Sequence, residues 1–436
     1  MSELRRTLGP LALFSLGVGY VISGLYFGWN LGLPEGGPIG MLIATLLVSA
    51  MYVAFVLTYA ELACALPKAG GAFVYASRAF GPTMGLLAGI GQWVELVLAP
   101  PAIAAAIGGF VNAIEPRLPA LAVAVFAYVV FTIVNWRGVA LSAGLELVMT
   151  VLAVAGLVVY CAIVLPRFSL ARFSADARPL GASGVMAAIP YAIWFYLGIE
   201  GLANVAEEAR DPSRDLPRGF GAAMAVLVVL TLLVLFGSVG ANGWQGAVYR
   251  PGQTEPSDSP LPLVMAHVAG EGSMTFRIVV GVGLFGLLAS FHGLLLAGAR
   301  ATFEFGRLGW GPAILGRVDS RTGAPAPALV TNMVLGLVAL ASGKTGDLIT
   351  LSVFGALTMY GTSALAMLRL RRTEPELVRP FRTPGAPVVP IVAAVTIGLS
   401  LVAMGISNPK LAAIFLGVIA VGYGWLFALV PKAKRG

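Results

Sequence analysis

The chain has 436 residues, 58% of them hydrophobic and 11% charged, with a mean hydropathy of +0.89. A soluble domain carries roughly 25% charged residues, and one of this size could not hide so much apolar surface, so a water-soluble globular protein is excluded. The formal net charge of +8 comes from Lys and Arg in short stretches between apolar segments, with no basic face interleaved with aromatics, which argues against a nucleic-acid partner.

Windows of about 20 apolar residues, the length that crosses a bilayer core, fall at 10–33, 39–66, 84–112, 119–136, 138–165, 185–206, 218–241, 274–300, 325–342, 346–368, 388–407 and 410–430. They predict an all-α integral membrane fold of twelve transmembrane helices, one domain over 1–436, with the lipid bilayer as its surroundings. Met1–Arg6 is too short to open a signal peptide and the first apolar stretch too long for one, so that stretch is expected to stay as a span. With both termini inside, 20 of the 28 Lys and Arg fall on the inner side, which predicts cytoplasmic termini in the cell (inner) membrane. The outer segment 166–184 dissents, with Arg167, Arg172 and Arg178. Cys64 and Cys161 lie in apolar stretches without a spaced framework, so neither a disulfide nor a metal site is expected. No cofactor is expected either.

Two windows, the first and the sixth, break the helical pattern alike. The first holds Gly17-Val18-Gly19-Tyr20-Val21-Ile22-Ser23-Gly24; the sixth runs from Pro190 through Phe195-Tyr196-Leu197-Gly198-Ile199-Glu200-Gly201. Glycine weakens a helix by about 1 kcal/mol relative to alanine, so each cluster marks a place to unwind. Unwound backbone at membrane depth survives only where it is buried in protein or lines a cavity, and paired interruptions in two halves point to a midplane binding site. Close helix packing is the alternative explanation of these glycines.

Four motifs follow one another in the expected helices. They are Ile22-Ser23-Gly24-Leu25-Tyr26; Tyr59-Ala60-Glu61-Leu62 with Pro67-Lys68-Ala69-Gly70-Gly71 through Tyr75; Gly198-Ile199-Glu200 through Glu207-Glu208-Ala209-Arg210-Asp211-Pro212 to Arg218; and Ala297-Gly298-Ala299-Arg300. Together they resemble the amino-acid/polyamine/organocation transporter superfamily over nearly the whole chain. The run from Gly17 to Pro38 with Ala99-Pro100-Pro101 is most similar to the ethanolamine permease branch. The resemblance implies a LeuT-like 5+5 inverted repeat with helices 1 and 6 broken (first repeat about 10–165, second about 185–368) plus two C-terminal helices at about 388–430. It also implies a permease, not an enzyme, taking up ethanolamine or a similar small amine by alternating access. An amino-acid permease of the same superfamily is the alternative; an intramembrane enzyme or receptor lacks support, for want of paired catalytic groups or a signalling domain.

An ammonium leaving water must meet carbonyls, a carboxylate or an aromatic face. Broken helices offer carbonyls, here expected at Tyr20, Val21, Phe195 and Leu197, and amides at Ser23 and Gly24 for a hydroxyl or carboxylate oxygen. By the resemblance Trp194 is the aromatic that closes over substrate, with Tyr20, Trp93, Tyr196 and Phe291 as cage candidates whose alternative is plain packing. Glu200 is a mid-membrane carboxylate that needs a partner or a task; bracing the broken helix is its structural alternative. Gln92 and Glu95 share a face of helix 3. Glu61 and Glu146 are expected in gate ion pairs, the charges from Glu207 to Arg218 in a solvated inner loop, and His292 as a hydrogen-bond donor rather than a proton relay. Proton-coupled relatives place a lysine in helix 5 where this chain has Ala153, and Ser290 is a weak candidate for holding Na⁺ with helix 1 carbonyls. The coupling ion is left open.

Overall fold

In a bilayer core no water satisfies backbone N–H and C=O groups, so a spanning chain must pair them within itself. The computed structural model describes residues 8–68, 70–137, 143–175 and 181–429, with side chains from 147 onward in the helix that starts at Ala143 and up to 428 in the last one. Among these residues the regular structure is helical, apart from two isolated bridges, Leu8 with Ala209 and Tyr249 with Pro256. In chain order the helices are α1 (Pro10–Val21), α2 (Ser23–Tyr26), α3 (Gly32–Ala65), α4 (Ala72–Phe80), α5 (Pro82–Ile114), α6 (Ala120–Trp136), α7 (Ala143–Val164), α8 (Leu170–Ser174), α9 (Gly181–Trp194), α10 (Pro212–Val248), α11 (Pro260–Ala269), α12 (Met274–Leu308), α13 (Ala326–Ala341), α14 (Thr345–Thr373), α15 (Val388–Ser407) and α16 (Pro409–Leu429). A 3₁₀ segment, Ile199–Glu208, lies between α9 and α10.

Among the described residues nine helical stretches are long and apolar enough to cross a bilayer, and α1, α6, α11 and α13 are shorter apolar helices. The expected windows leave 242–273 empty, yet α11 stands there with Leu261, Val264 and Met265 buried. Ten residues between Pro260 and Gly270 are too short for a span-length window to register. The outermost helices, α15 and α16, show apolar side chains such as Leu399 and Val421 to the surroundings, which a lipid-facing surface requires.

The centre of the bundle is the α5–α14 contact. A Cβ on Gly91 would stand 2.6 Å from the Gly355 carbonyl oxygen, and one on Gly355 would collide with the Gly91 carbonyl, so the two backbones touch directly. At one end of the bundle Glu61, 1% exposed, accepts from Arg371 Nε at 3.0 Å and from Arg371 Nη2 and pairs with Arg379 Nε at 3.4 Å. It also accepts the Thr383 N–H at 2.7 Å, which ties the 374–387 connection to the end of α3. The ion pair expected for Glu61 is thus made with two arginines; the Glu146 side chain lies outside the described residues. Part of the charge cluster expected to be solvated builds the start of α10 instead. Asp211 caps the Ser213 N–H at 3.1 Å while Asp215, 7% exposed, accepts the Asp211 N–H at 3.1 Å, with Pro212 in the first turn.

Candidate functional site

Both expected interruptions are present, but they differ in kind. At the first, α1 runs through Gly17 and Gly19 to Val21, and only Ile22 separates it from α2, with right-handed angles of φ −60° and ψ −24°. What breaks the ladder there is a side chain. Ser290 of α12 donates to the Gly19 carbonyl at 2.6 Å and accepts the Ser23 N–H at 3.2 Å. Gly19 C=O and Ser23 N–H are the i and i+4 partners of an ordinary helical bond, so the hydroxyl is inserted into that bond. The Ser23 amide, expected to be free for a substrate oxygen, is therefore occupied. At the second interruption the backbone departs fully: α9 ends at Trp194, and Gly198 takes φ +101°, open to glycine without a side-chain clash, before the 3₁₀ segment.

The two segments lie against each other through their glycines. A Cβ on Gly24 would run into the Trp194 carbonyl, and one on Gly198 would stand 3.2 Å from the Tyr20 carbonyl oxygen. Cβ atoms on Gly201 and Gly293 would come within 2.9 and 2.7 Å of the Tyr20 ring, which is held between them.

Beside this crossing is a cavity of about 180 Å³. Tyr20, Gly198 and Glu200 line it, with Gln92 of α5, Asn204 and, from α12, His292. Towards the bundle end its walls are Gly70, Phe73, Glu304, Phe305 and Trp310. Glu200 is 3% exposed, and its Oε2 accepts the Tyr360 hydroxyl at 2.7 Å. That bond ties the start of the 3₁₀ segment to α14, so the carboxyl has a partner, as a buried acid at membrane depth requires. Glu95, fully buried on α5, lies behind Glu200 within hydrogen-bonding reach of its carboxyl.

Of the sequence-expected residues, Tyr20, Gln92 and Glu200 meet at the cavity wall. The others stand elsewhere. Trp194 donates its indole N–H to the Phe27 carbonyl at 3.1 Å and sits edge-on to the Phe27 ring. Phe195 stacks on Trp29 with ring centroids 6.0 Å apart, and Phe291 is wedged between Tyr128 and Phe131. Trp93 turns outward, donating to Thr302 Oγ1 at 2.9 Å beside a separate apolar cavity. Tyr196 shares a 2.6 Å hydrogen bond with Ser49, while Val21, Ser23, Gly24 and Leu197 are buried in the crossing. Ala153 is fully buried; its carbonyl accepts the Tyr26 hydroxyl at 2.7 Å, and its methyl faces Gly286. Sequence reasoning missed Asn204 and Tyr360. Asn204 follows Glu200 by four residues and had a detectable spacing; Tyr360 is a lone phenol in an apolar helix and had none.

Chemically, the site offers a carboxyl, an aromatic face and side-chain amides around a space for a small molecule, without a paired nucleophile and base. Comparison with known proteins agrees with that reading. The family model described as amino acid permease matches residues 8–429. The chain is 28% identical over 385 residues to an uncharacterized transporter of Rhizobium meliloti, covering 86% of this chain and 80% of that one. It is 25% identical over 412 residues to a branched-chain amino acid permease of Bacillus subtilis, covering 89% and 86%. It is also 25% identical over 415 residues to a methylthioribose transporter of that species, covering 90% and 87%. These relatives are transporters rather than enzymes. A helical membrane chain whose interrupted segments cross beside a small cavity, matched from residue 8 to residue 429, belongs to the amino acid permease family.

Proposed function

We propose that the chain is a secondary permease taking up ethanolamine or a similar small amine across the cell (inner) membrane by alternating access. The observation that carries this reading is Glu200 at the cavity wall, next to the Tyr20 ring and the Gly198 backbone. A carboxyl and an aromatic face together compensate an ammonium that has left water. Gln92 and Asn204 supply amides for a hydroxyl. The architecture we infer is twelve transmembrane helices in one domain, with a 5+5 inverted repeat and two extra helices. Interruptions at Ile22 and at Gly198, one in each half, support it. With cytoplasmic termini, the end of the cavity lined by Gly70, Arg300 and Glu304 faces the cytoplasm, where the Phe73 and Trp310 rings meet edge to face with centroids 5.0 Å apart.

Amino-acid uptake is the second reading, favoured by the name of the branched-chain relative. Competition for labelled ethanolamine uptake into proteoliposomes separates the two. Ethanolamine is expected to compete better than glycine, alanine, serine or leucine; stronger inhibition by any of the four assigns the chain to amino acids.

A further inference from the structure

Hydrogen-bond donors are unequally shared between the two buried carboxyls. Glu200 receives the Tyr360 hydroxyl at 2.7 Å. Neither oxygen of Glu95 has a hydroxyl or N–H donor. The other titratable groups that face the pair are phenols, Tyr52 and Tyr59 from α3 and Tyr360 from α14. His292 of α12 and Arg300 line the same cavity, Arg300 towards its exposed mouth. From α7 no cation comes near at the expected position, because Ala153 stands there and the Tyr26 ring fills the space beside Gly286.

Two adjacent carboxylates in a low-dielectric interior repel strongly, and a buried acceptor without a donor is itself unfavourable. One proton on Glu95, donated to Glu200, relieves both at once. We propose that Glu95 and Glu200 form a proton-binding site whose occupancy changes during the transport cycle. The two residues sit on elements of unequal freedom. Glu95 belongs to the 33-residue helix α5, locked to α14 through Gly91 and Gly355. Glu200 belongs to the segment that follows the left-handed turn at Gly198. Movement of the interrupted helix against α5 parts the carboxyls. Parting them opens Glu95 to the water of the cavity, and its proton passes from the carboxyl oxygen to that water, leaving a hydrated carboxylate.

The inference rests on the permease reading for its cycle, and the test keeps the two apart. Proteoliposomes carry the pH dye pyranine in the lumen, and labelled ethanolamine counterflow is followed in parallel; should ethanolamine not exchange, the best competitor of the amino-acid panel takes its place. Net substrate entry is expected to change luminal pH, with the sign reporting whether the proton travels with or against the substrate. Glu95→Gln is expected to cut protons moved per substrate by roughly tenfold or more, with counterflow slowed but measurable. Wild-type protein that exchanges substrate without any pH change overturns the proton site and leaves the permease standing; absence of counterflow with every compound overturns the permease. An infrared difference spectrum gives a readout independent of transport. A carbonyl band of a protonated, buried carboxylic acid is expected in the wild type and lost in E95Q, and its absence from the wild type overturns the proposal whatever the flux data show.

Discussion

Removal of one oxygen atom should test how the first helix is held open. In Ser290→Ala the hydroxyl that bridges Gly19 C=O and Ser23 N–H, at 2.6 and 3.2 Å, is gone, and Ser290 is fully buried, so water does not replace it. A net hydrogen bond contributes about 0.5–1.5 kcal/mol, so two such bonds are worth about 1–3 kcal/mol. If Gly19 and Ser23 then pair directly, α1 and α2 fuse into one continuous helix and the loss falls to the low end, about 1 kcal/mol. If the Trp194 carbonyl packed against Gly24 prevents that rewinding, both groups stay unpaired and the loss moves to the high end or beyond. Thermal unfolding of the purified protein gives the stability change, and amide hydrogen exchange at Ser23 distinguishes the two outcomes. Protection should rise with a fused helix and fall with orphaned groups. A variant with unchanged stability, unchanged Ser23 exchange and unchanged uptake would refute the view that Ser290 wedges the helix.

Three further outcomes are expected. Glu200→Gln loses the charge but keeps one acceptor oxygen for Tyr360, and should reduce uptake by roughly tenfold or more while the protein stays folded; normal uptake from pH 5 to 8 would remove Glu200 from both substrate and proton binding. Gly24→Ala places a methyl against the Trp194 carbonyl, a contact between two backbones that cannot give way like a flexible side chain, and should cost about 1–3 kcal/mol in thermal unfolding and most of the uptake. Asp258, in the connection between α10 and α11, is pushed up to about 6 by burial, against the Thr345 hydroxyl and the Arg250 charge. Because the packed loop binds this proton more tightly than an open one does, packing is favoured below pH 6 and weakens as pH rises through 6. Hydrogen exchange in residues 249–259, corrected for intrinsic rates, should be faster at pH 7.5 than at pH 5, and Asp258→Asn should abolish that difference.

Most of the spans were legible because an apolar run of membrane length has few other uses. The second interruption was legible too, since a carboxylate among glycines has no comfortable place in a continuous lipid-embedded helix. The first was placed correctly but for an incomplete reason. Its glycines at 17 and 19 remain helical, and the ladder opens at Ile22 because of a serine 271 residues beyond Gly19, a contact no local pattern encodes. The aromatic candidates show the same limit. Trp93, Trp194 and Phe291 lie in the right helices, yet which face each one presents follows from neighbours such as Thr302, Phe27 and Tyr128. Gln92 and Glu95 were expected to share a face; Gln92 meets the cavity, while Glu95 is drawn behind it by the close approach of α14 at Gly355.

The buried Glu61 cluster bears on where this protein tolerates added sequence. From its composition the 374–387 connection looks like a polar tether, a natural site for an affinity tag or a fluorescent insertion. Its Thr383 N–H and Arg379 are nevertheless anchored on a carboxylate that is 1% exposed, and Arg379 also holds the carbonyls of Leu370, Glu374 and Leu377. An insertion there would pull a charge partner away from a buried acid, the kind of loss that costs about 3–5 kcal/mol. The exposed turn around Asp319, Arg321 and Thr322 is closed by bonds of 2.8 and 3.0 Å to the Asp319 carboxylate, which also accepts the exposed Trp136 indole N–H at 3.3 Å, so lengthening the turn puts exposed bonds at risk but no buried charge. Reporter insertions therefore belong at 320–323, where the label follows the bundle without loosening it.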